Sequence, residues 1–426
     1  MAFLKFNKAE LVNLEYSLRR EILGSNCFGS YFNTSIIACN TRKYHGLLVV
    51  PLDNLGGDKY VLLSTMDESI VLGGKMFNLG IHCYGDIYEP KGHKYIIDFD
   101  ADGVPVITYK VGPVTIAKSI TMVQDRNQVL IHYKVLACPD RISLMIKPFL
   151  AFRGYHSLTQ ENGTADTSFR PVENGAAYRM YDGFPDLCIQ TSLKNTYNHQ
   201  PYWYKGITYS DEYRRGFDCR EDLLVPGCFT VNLKEGSELV VSASTEPVQT
   251  KTLKPLFAGI CRKVTNVGSH RDILLNNARA LKVIPNGRKQ IAAGYSWLNT
   301  GLLRESITAL PGLTLYADGN KAEFEEILDN LIADEQERLF RRTTQVEAPL
   351  YLASVLQSYL EYGADSARIW KKYGDTVKGV IESYLPGRRR EVSMQPNGLL
   401  WAQMENVALS WMNAYIYGTP VTERPG

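Results

Sequence analysis

The stretch NTRKYHGLLVV, residues 40–50, holds the first side chains that could do chemistry. His45 precedes Gly46 and an apolar run typical of a strand, which places it at the strand mouth, where a side chain can point out of the sheet. Arg42 could donate hydrogen bonds to hydroxyl or carboxylate groups. A histidine that only satisfies hydrogen bonds inside the fold is the alternative interpretation, and the spacing leaves both open.

A second stretch, residues 196–218, is crowded with aromatic side chains among Asn, Gln, Asp and Glu. This mixture suits sugar rings, whose C–H faces pack on aromatic rings while their hydroxyls need hydrogen-bond partners. The alternative is that these rings belong to the core or join two domains. The aromatic residues are Tyr197, Tyr202, Trp203, Tyr204, Tyr209 and Tyr213.

Two further stretches combine aromatic and charged groups. Residues 293–315, AGYSWLNTGLLRESITALPGLTL, place Trp297 shortly before the adjacent pair Arg304 and Glu305. Such a pair, at the passage from a loop into a helix, could position the hydroxyls of a substrate, and a purely structural ion pair is the alternative. The C-terminal stretch 397–426 adds Glu405, Trp411, Asn413, Thr422 and Arg424.

The sequence lacks the patterns of several other chemistries. It has no Ser-His-Asp arrangement, no metal-ligand spacing and no Gly-rich span long enough for a phosphate loop. We therefore expect neither a metal nor a cofactor.

Up to about residue 250 the sequence predicts β-strands. Short β-rich runs recur between turn residues, as is typical of a large antiparallel β-sandwich. Two alternating runs flank Val111-Gly112-Pro113 and predict a hairpin, whereas the polar stretch 155–184 is expected to be a functional or disordered loop. The strand-like runs cover 45–52, 59–65, 94–99, 128–136, 141–150 and 237–244.

After about residue 265 the apolar residues recur every three to four positions, which predicts helices. The predicted helices cover 324–332, 352–359 and 369–384, with an earlier one over 270–284. We therefore predict a multidomain β + α fold, with a β-sandwich domain over 1–260 and a helical domain over 266–426.

The composition excludes several classes of partner. The 426 residues carry a formal net charge of +2, so no long-range field favours nucleic acid or an acidic membrane. No apolar run approaches the ~20 residues that span a bilayer, and the first residues lack the features of a signal peptide. The eight cysteines include no Cys-x-x-Cys pair, which indicates reduced thiols. We expect a cytoplasmic protein.

Several of these stretches, in the same order, resemble the bacterial and archaeal glycogen debranching enzymes of the amylo-α-1,6-glucosidase type. The resemblance covers nearly the whole chain. It rests on EILGSNCFGSYF (21–32), NTRKYHGLLV (40–49), PFLAFRGYH (148–156), WYKGITYSDEYRRGFDCREDLLVPG (203–227), AGYSWLNTGLLRESITALPGLTL (293–315) and the SWMNA…GTPVTERPG end.

The resemblance implies an N-terminal β-supersandwich followed by a partial (α/α)6 toroid. It also implies hydrolysis of α-1,6-linked glucose at the branch points of glycogen or maltodextrin, without a cofactor. Such hydrolysis needs a carboxylic acid that protonates the glycosidic oxygen and a carboxylate that activates water. The expected partner is therefore an α-glucan, and neither nucleic acid nor a membrane.

The chain departs from the family pattern at the expected general acid. Where the family has Thr-Trp-Met-Asp, this chain has SWMN over 410–413, and the amide of Asn413 cannot donate that proton. The family also has the motif Trp-x-x-x-Trp-Gly-Arg-Asp-Thr. This chain lacks the second Trp and the Gly of that motif, but Arg304 and Glu305 correspond to its Arg-Asp pair. Glu347 stands where the family carries a further Asp.

Family members also continue past the segment that VTERPG resembles, so we expect this chain to be truncated within the toroid. Hydrolysis is one hypothesis, and a non-catalytic α-glucan-binding protein or fragment on the same scaffold is the alternative. The candidate catalytic positions are Asn413, Glu305 and Glu405. The candidate substrate-binding residues are Arg42, Tyr44, His45, Trp297, Arg304, Glu347 and Trp411.

Overall fold

The computed structural model describes residues 4–264, 268–298 and 302–421 of the chain. The chain divides into two compact units, residues 1–280 and residues 281–426. Strands dominate the first unit and helices the second. The predicted order of a β part followed by an α part is confirmed.

The strands of the first unit build two antiparallel sheets within the described residues. In chain order the strands are β1 (Lys5–Asn7), β2 (Glu21–Ser25), β3 (Tyr31–Ser35), β4 (Gly46–Pro51), β5 (Lys59–Leu72), β6 (Lys75–Asn78), β7 (His82–Tyr84), β8 (Ile87–Glu89), β9 (Ile96–Asp100), β10 (Val106–Val111), β11 (Val114–Met122), β12 (Gln128–Ala137), β13 (Ile142–Gly154), β14 (Arg170–Val172), β15 (Gly175–Tyr178), β16 (Leu187–Thr191), β17 (Thr196–Thr208), β18 (Arg220–Leu233) and β19 (Glu238–Ser244). A nine-stranded sheet has the order β1-β9-β10-β11-β12-β19-β16-β15-β14. An eight-stranded sheet has the order β17-β18-β13-β5-β4-β3-β2, with β6 paired to β5, and β7 pairs with β8.

The inward faces of the two sheets share one apolar core. Ile116 and Ile131 of the nine-stranded sheet belong to the same cluster of buried side chains as Leu63 and Ile146 of the eight-stranded sheet. Along β11 every second side chain is buried, which is the period expected when one face of a strand is covered. Each large apolar side chain contributes ~1.5–3 kcal/mol when it is buried. The shared core therefore makes the two sheets a sandwich.

The predicted hairpin is confirmed. β10 and β11 pair in register from Val111↔Val114 to Val106↔Ser119. Gly112, in the turn, has φ 55°, in the left-handed region that favours glycine. The other strand-like runs are confirmed as β4, β5, β9, β12, β13 and β19.

β13 contains an irregularity close to its C-terminal end. Its pairing with β5 shifts between Leu150↔Leu63 and Arg153↔Val61. Phe152, within the shift, has φ 46°, a left-handed conformation that costs a non-glycine residue roughly 1–2 kcal/mol. Arg153 follows with a side chain that is only 5% exposed.

Short helices accompany the sandwich. Among the described residues they are α1 (Lys8–Leu11), α2 (Leu14–Ser17), α3 (Ser210–Arg214), α4 (Leu253–Lys263) and α5 (His270–Ala280), with single 3₁₀ turns at Asp53–Leu55, Gly92–Tyr95 and Thr250–Thr252. Leu253 and Phe257 of α4 pack with Val240 of β19 in a small apolar cluster. The stretch 155–184 is not one uninterrupted loop as expected, because β14 and β15 pair within it around a turn at Asn174.

The second unit is built mainly on helices. Within the described residues they are α6 (Leu303–Pro311), α7 (Lys321–Asp334), α8 (Gln336–Phe340), α9 (Tyr351–Glu361) and α10 (Ser366–Ser383), with a 3₁₀ turn at Pro285–Gly287 and a π-helical turn at Gly312–Tyr316. Short strands pair as successive hairpins, namely β20 (Lys282–Val283) with β21 (Gln290–Ile291), β22 (Val392–Met394) with β23 (Leu400–Ala402) and β24 (Tyr415–Ile416) with β25 (Thr419–Pro420). The predicted helices over 324–332, 352–359 and 369–384 are confirmed as α7, α9 and α10. The helix predicted over 270–284 ends at Ala280, because 282–283 pair with β21 instead.

The apolar stripes of these helices form a second core. Ile307 of α6, Leu328 of α7 and Val355 of α9 are buried in one cluster. α10 starts at an N-cap, Asp365, whose Oδ1 accepts from the backbone N of Arg368 at 2.6 Å. In the described parts of the chain, no helix is both long and apolar enough to cross a membrane.

Gly175 in β15 offers a test of the sheet register. A Cβ at this position would lie 2.0 Å from the backbone oxygen of Ile189 on β16. Because backbone cannot move aside without breaking the strand pair, Gly175→Ala should lower the free energy of unfolding by about 1–3 kcal/mol. Urea denaturation followed by circular dichroism measures this change. Gly163→Ala is the control, since nothing lies within 4 Å of its Cβ position, and equal effects of the two changes would contradict the pairing.

Candidate functional site

Arg304 bridges two carboxylates in the second unit. It lies in the first turn of α6 and is followed directly by Glu305, whereas Glu347 lies just before α9. Nη2 of Arg304 is 2.6 Å from Oε1 of Glu305, and Nη1 is 3.2 Å from Oε1 of Glu347. Burial opposes the charge of Arg304, but the hydrogen bonds to both carboxylates outweigh it and raise the pKa of the guanidinium. We call these three residues the Arg304 cluster.

Each carboxylate of the Arg304 cluster keeps one oxygen unsatisfied. Oε2 of Glu305 and Oε2 of Glu347 are buried and have no hydrogen-bond partner among the described residues. A buried acceptor without a partner costs ~1–3 kcal/mol, and an ionised carboxylate has only acceptors to offer. The cluster therefore presents acceptors to a ligand that carries hydrogen-bond donors, such as hydroxyl groups.

A chain of hydrogen bonds holds the Arg304 cluster in place. The backbone N of Arg304 donates to Oε1 of Gln345 at 3.4 Å, and the backbone N of Gln345 donates to Oγ1 of Thr343 at 2.9 Å. The backbone N of Thr343 then donates to Oε1 of Glu391 at 2.7 Å. Glu391 is itself buried, so the cluster is anchored in the interior of the second unit.

The candidate tryptophans of the second unit are exposed. Trp297 is 45% exposed in the segment before α6, and Trp411 is 62% exposed. The backbone N of Val346 donates to the backbone O of Leu409 at 3.0 Å. This bond brings the segment that carries Trp411 alongside the segment that carries Glu347.

The candidate catalytic positions do not come together. Glu405 and Asn413 are both exposed, and Glu405 lies in a turn. Across the described residues, no hydrogen bond or ion pair links either side chain to Glu305. Thr422 and Arg424, named with them from the sequence, lie outside the described residues.

A second polar cluster lies in the first unit. Nε of Arg42 is 2.8 Å from Oε1 of Glu21, Nη2 of Arg42 is 3.5 Å from Oδ2 of Asp211, and Nε2 of His45 is 3.5 Å from Oε1 of Glu21. The imidazole of His45 is fully buried, so of the two interpretations the one of a histidine that satisfies hydrogen bonds inside the fold describes its position, and the ring does not point out of the sheet. The reason is that the backbone N of Thr41 donates to Nδ1 of His45 at 3.1 Å and turns the ring inward.

The charges of this second cluster depend on one another. Burial lowers the pKa of His45 despite the neighbouring carboxylate of Glu21, so the ring is neutral at pH 7. Since Nδ1 accepts a hydrogen bond, the neutral ring carries its proton on Nε2. Burial alone would raise the pKa of Glu21, but His45 and then Arg42 lower it to about 2.

Tyr44, in the same loop as Arg42 and His45, is held in place by three aromatic neighbours. Its hydroxyl is 3.2 Å from Nδ1 of His156, and its ring packs edge-on against Tyr155. The hydroxyl of Tyr31 donates to the backbone O of Tyr44 at 2.9 Å. Tyr44 is therefore nearly buried and its position is fixed by both backbone and side chain.

The aromatic residues of 196–218 divide between core and surface. Tyr197 and Trp203 of β17 pack against the sandwich core, and Tyr209 is fully buried. Tyr202 and Tyr213 are exposed. The interpretation as core residues therefore holds for Tyr197, Trp203 and Tyr209 and not for Tyr202 and Tyr213.

Sequence reasoning missed Glu21, Asp211 and Gln345 as parts of these clusters. Glu21 and Asp211 meet Arg42 only because β2 and α3 fold onto the same loop, and the distance along the chain carries no sign of it. The described residues contain no group of three or more His, Cys, Asp or Glu that could hold a metal ion.

Comparison with known families accounts for both units. Residues 20–240 match the family described as "Glycogen debranching enzyme N terminal", and residues 269–426 match the family described as "Amylo-alpha-1,6-glucosidase". The first match alone covers more than half of the chain, and together they define the class, that of debranching-type enzymes. The chain belongs to the glycogen debranching enzyme family, which confirms the resemblance seen in the sequence.

Comparison with solved structures gives weak likenesses. A bacterial glucoamylase complexed with acarbose is 11% identical at a TM-score of 0.44, covering 87% of this chain and 60% of that one. A GalM/aldose epimerase homologue from C. elegans is 12% identical at a TM-score of 0.30, and the match covers 54% of this chain and 99% of that one. The chain spans about 60% of the length of this glucoamylase. A search among curated proteins found no match.

Removing the shared cation should destabilise the second unit. Arg304→Met would leave two carboxylates facing each other, so we expect the free energy of unfolding to fall by about 1–3 kcal/mol, less than for a fully buried pair. Thermal denaturation followed by circular dichroism measures the loss. Arg341→Met is the control, because that side chain is 80% exposed and only 3.9 Å from Glu337. Equal melting temperatures for the two variants would contradict the bridging role.

Glu21 should contribute to stability in acid. Because its pKa is lowered from 4.5 to about 2, its contribution is fully present above pH 4.5 and is lost as the pH falls towards 2. Arg42→Gln removes one cause of the shift, so acid unfolding should begin at a higher pH than in the unchanged chain. Fluorescence-detected unfolding between pH 6 and pH 2 measures this, and an unchanged acid midpoint would contradict it.

Proposed function

We propose that the chain acts on α-1,6-linked glucose at the branch points of glycogen or maltodextrin, as a debranching-type glycoside hydrolase. The observation that carries the proposal is the Arg304 cluster, in which one guanidinium holds Glu305 and Glu347 and leaves one buried oxygen of each without a partner. Family membership gives the substrate class, and the unsatisfied acceptors match the hydroxyl donors of a glucose ring.

The chemistry divides the carboxylates by role. Hydrolysis of a glycosidic bond needs one carboxylic acid and one carboxylate on opposite sides of the bond. Glu305 and Glu347 sit beside a cation and act as acceptors, so they would orient the sugar, and Glu305 would activate water. Glu405 would then be the candidate proton donor, since Asn413 has no acidic proton.

The finer points of the fold belong to the same proposal. The two sheets would form a β-supersandwich domain over 1–260, and the helices would form part of an (α/α)6 toroid over 266–426. The proposal includes a cytoplasmic location, where such a storage polymer would be met. No cofactor, nucleic acid or membrane takes part.

A specific observation favours a second function, non-catalytic binding of α-glucan. Asn413 offers an amide where the family has its acid, and Glu405 is exposed, with no hydrogen bond or ion pair to the Arg304 cluster among the described residues. A chain with these features would still bind a branched glucan through Glu305 and Glu347. Hydrolysis and binding therefore have to be measured on the same preparation.

Phosphorylase-limit dextrin is the substrate that separates the two functions. We expect glucose release that falls by about 100-fold or more in the double variant Glu305→Gln, Glu405→Gln. Glu347→Gln should weaken dextrin binding by about 10-fold, because one charge-assisted hydrogen bond is lost. Glucose release is followed by a coupled assay and binding by calorimetry.

Glu337→Gln is the control for both measurements, since this side chain is 66% exposed and lies outside the Arg304 cluster. Binding without glucose release would favour the non-catalytic function. Absence of both would overturn the proposal.

A further inference from the structure

Glu212 is a fully buried carboxylate without a partner. It lies in α3 (Ser210–Arg214) and is 0% exposed. Neither Oε1 nor Oε2 has a hydrogen-bond partner among the described residues. Burying an unpaired carboxylate is among the most costly arrangements in a folded protein, so its retention calls for a reason.

Two other buried glutamates of the same unit show how such groups are normally accommodated. Glu68 is 2.7 Å from Nζ of Lys118 and accepts a hydrogen bond from the hydroxyl of Tyr133. Glu221 is ion-paired with Arg153 and also accepts from the backbone N of Thr159 at 2.9 Å. Glu212 has neither kind of partner, which sets it apart within its own unit.

The position of Glu212 is fixed by the loop that carries Tyr44 and His45. The backbone N of Asp211 donates to the backbone O of Thr41 at 2.9 Å, and Oγ1 of Thr41 donates to Oδ2 of Asp211 at 2.8 Å. These two bonds clamp the start of α3 onto the loop. After burial, the charge of Glu212 is the next influence that raises the pKa of Tyr44, as its place on a helix held against the loop of Tyr44 leads one to expect.

His45 adds a donor at the same place. Nε2 of His45 is buried and has no hydrogen-bond partner within the described residues, being 3.5 Å from the nearest carboxylate oxygen, Oε1 of Glu21. This nitrogen carries the proton of the neutral ring. The loop and α3 therefore bring together two buried acceptors that no described residue satisfies and one buried donor whose contact with Glu21 is long.

The surrounding charges indicate which ligand fits. Arg42, Lys43 and Arg215 lie around Tyr44 and would oppose a cationic ligand. Glu212 and Glu21 would oppose an anion. A neutral molecule with several hydroxyl groups satisfies both requirements, since its O–H groups donate to a carboxylate and its oxygens accept from Nε2–H.

We propose that Glu212, together with Tyr44 and His45, forms a sugar subsite in the first unit that binds one glucose residue of an α-glucan. The ligand class rests on the proposed function. Glu212 would accept hydrogen bonds from two hydroxyls, and His45 would donate one. Glu21 and Arg42, which lie beside His45, have side chains that are 27% and 22% exposed, so a ligand would enter from their side.

The change Glu212→Gln tests the subsite in the full chain through two opposite effects. Without ligand, loss of an unpaired buried charge should leave the melting temperature unchanged or higher. The affinity for maltotetraose should fall by about 10-fold, because an acceptor pair becomes a mixed donor and acceptor. Thermal denaturation and isothermal titration calorimetry measure the two effects.

Glu68→Gln is the matched control, as a buried glutamate with partners. It should lower the melting temperature and leave the affinity for maltotetraose unchanged. A melting temperature of Glu212→Gln that falls as far as that of Glu68→Gln, or a variant that does not fold, would overturn the subsite, since it would mean that the carboxylate stabilises the unit.

The binding results separate this proposal from the proposed function. If the unchanged chain binds maltotetraose and Glu212→Gln binds it equally well, only the subsite is overturned. If the unchanged chain binds no maltotetraose, the sugar subsite is overturned, and the limit-dextrin measurements decide the proposed function separately. Tyr44→Phe, which removes one hydroxyl, should weaken binding several-fold in the same assay.

Discussion

The buried ion pair between Arg153 and Glu221 holds together the part of the sandwich that carries the polar cluster of Arg42, Glu21 and His45. The two side chains are 5% and 0% exposed, so each would be strongly destabilising without the other. Glu221 also accepts from the hydroxyl of Tyr209, the residue that precedes α3. Nη2 of Arg153 donates to the backbone O of Lys43 at 2.7 Å. One ion pair thus fixes both the loop that carries Tyr44 and the start of α3, and the left-handed backbone before Arg153 is the local strain that accompanies this placement.

The two units treat buried charge in the same way. Buried carboxylates tie segments together in both units, as Glu221 does through Arg153 and Thr159 in the first and Oε1 of Glu391 does through Thr343 in the second. Against this background, the acceptors that stay unpaired in each unit stand out, because the same fold shows that it can supply partners. Glu347 and Glu391 each use one oxygen in such a contact and leave the other without a partner among the described residues, whereas Glu212 leaves both.

The regular elements could be predicted from the sequence because their causes are local. The alternation of apolar and polar residues predicts β11, and the spacing of Phe324 and Leu328 predicts α7. The adjacent pair Arg304 and Glu305 could also be predicted, since neighbours in a first helical turn remain close. The contact of Arg42 with Glu21 could not, because it depends on the pairing of distant strands. The sequence left the direction of His45 open between two interpretations, since one backbone hydrogen bond from Thr41 decides it.

The source of the proton for the glycosidic oxygen, rather than the recognition of the sugar, decides whether this chain can hydrolyse a glucan. A carboxylate that shares a guanidinium is stabilised as an acceptor, so the Arg304 cluster is suited to orienting hydroxyls and polarising water but not to protonating a leaving oxygen. Asn413 cannot supply the proton either. Hydrolysis by this chain therefore requires a carboxylic acid outside the cluster, and Glu405 meets that requirement only if it approaches the bound sugar. Binding has no such requirement, which is why the arrangement of Glu305 and Glu347 supports glucan recognition more directly than it supports bond cleavage.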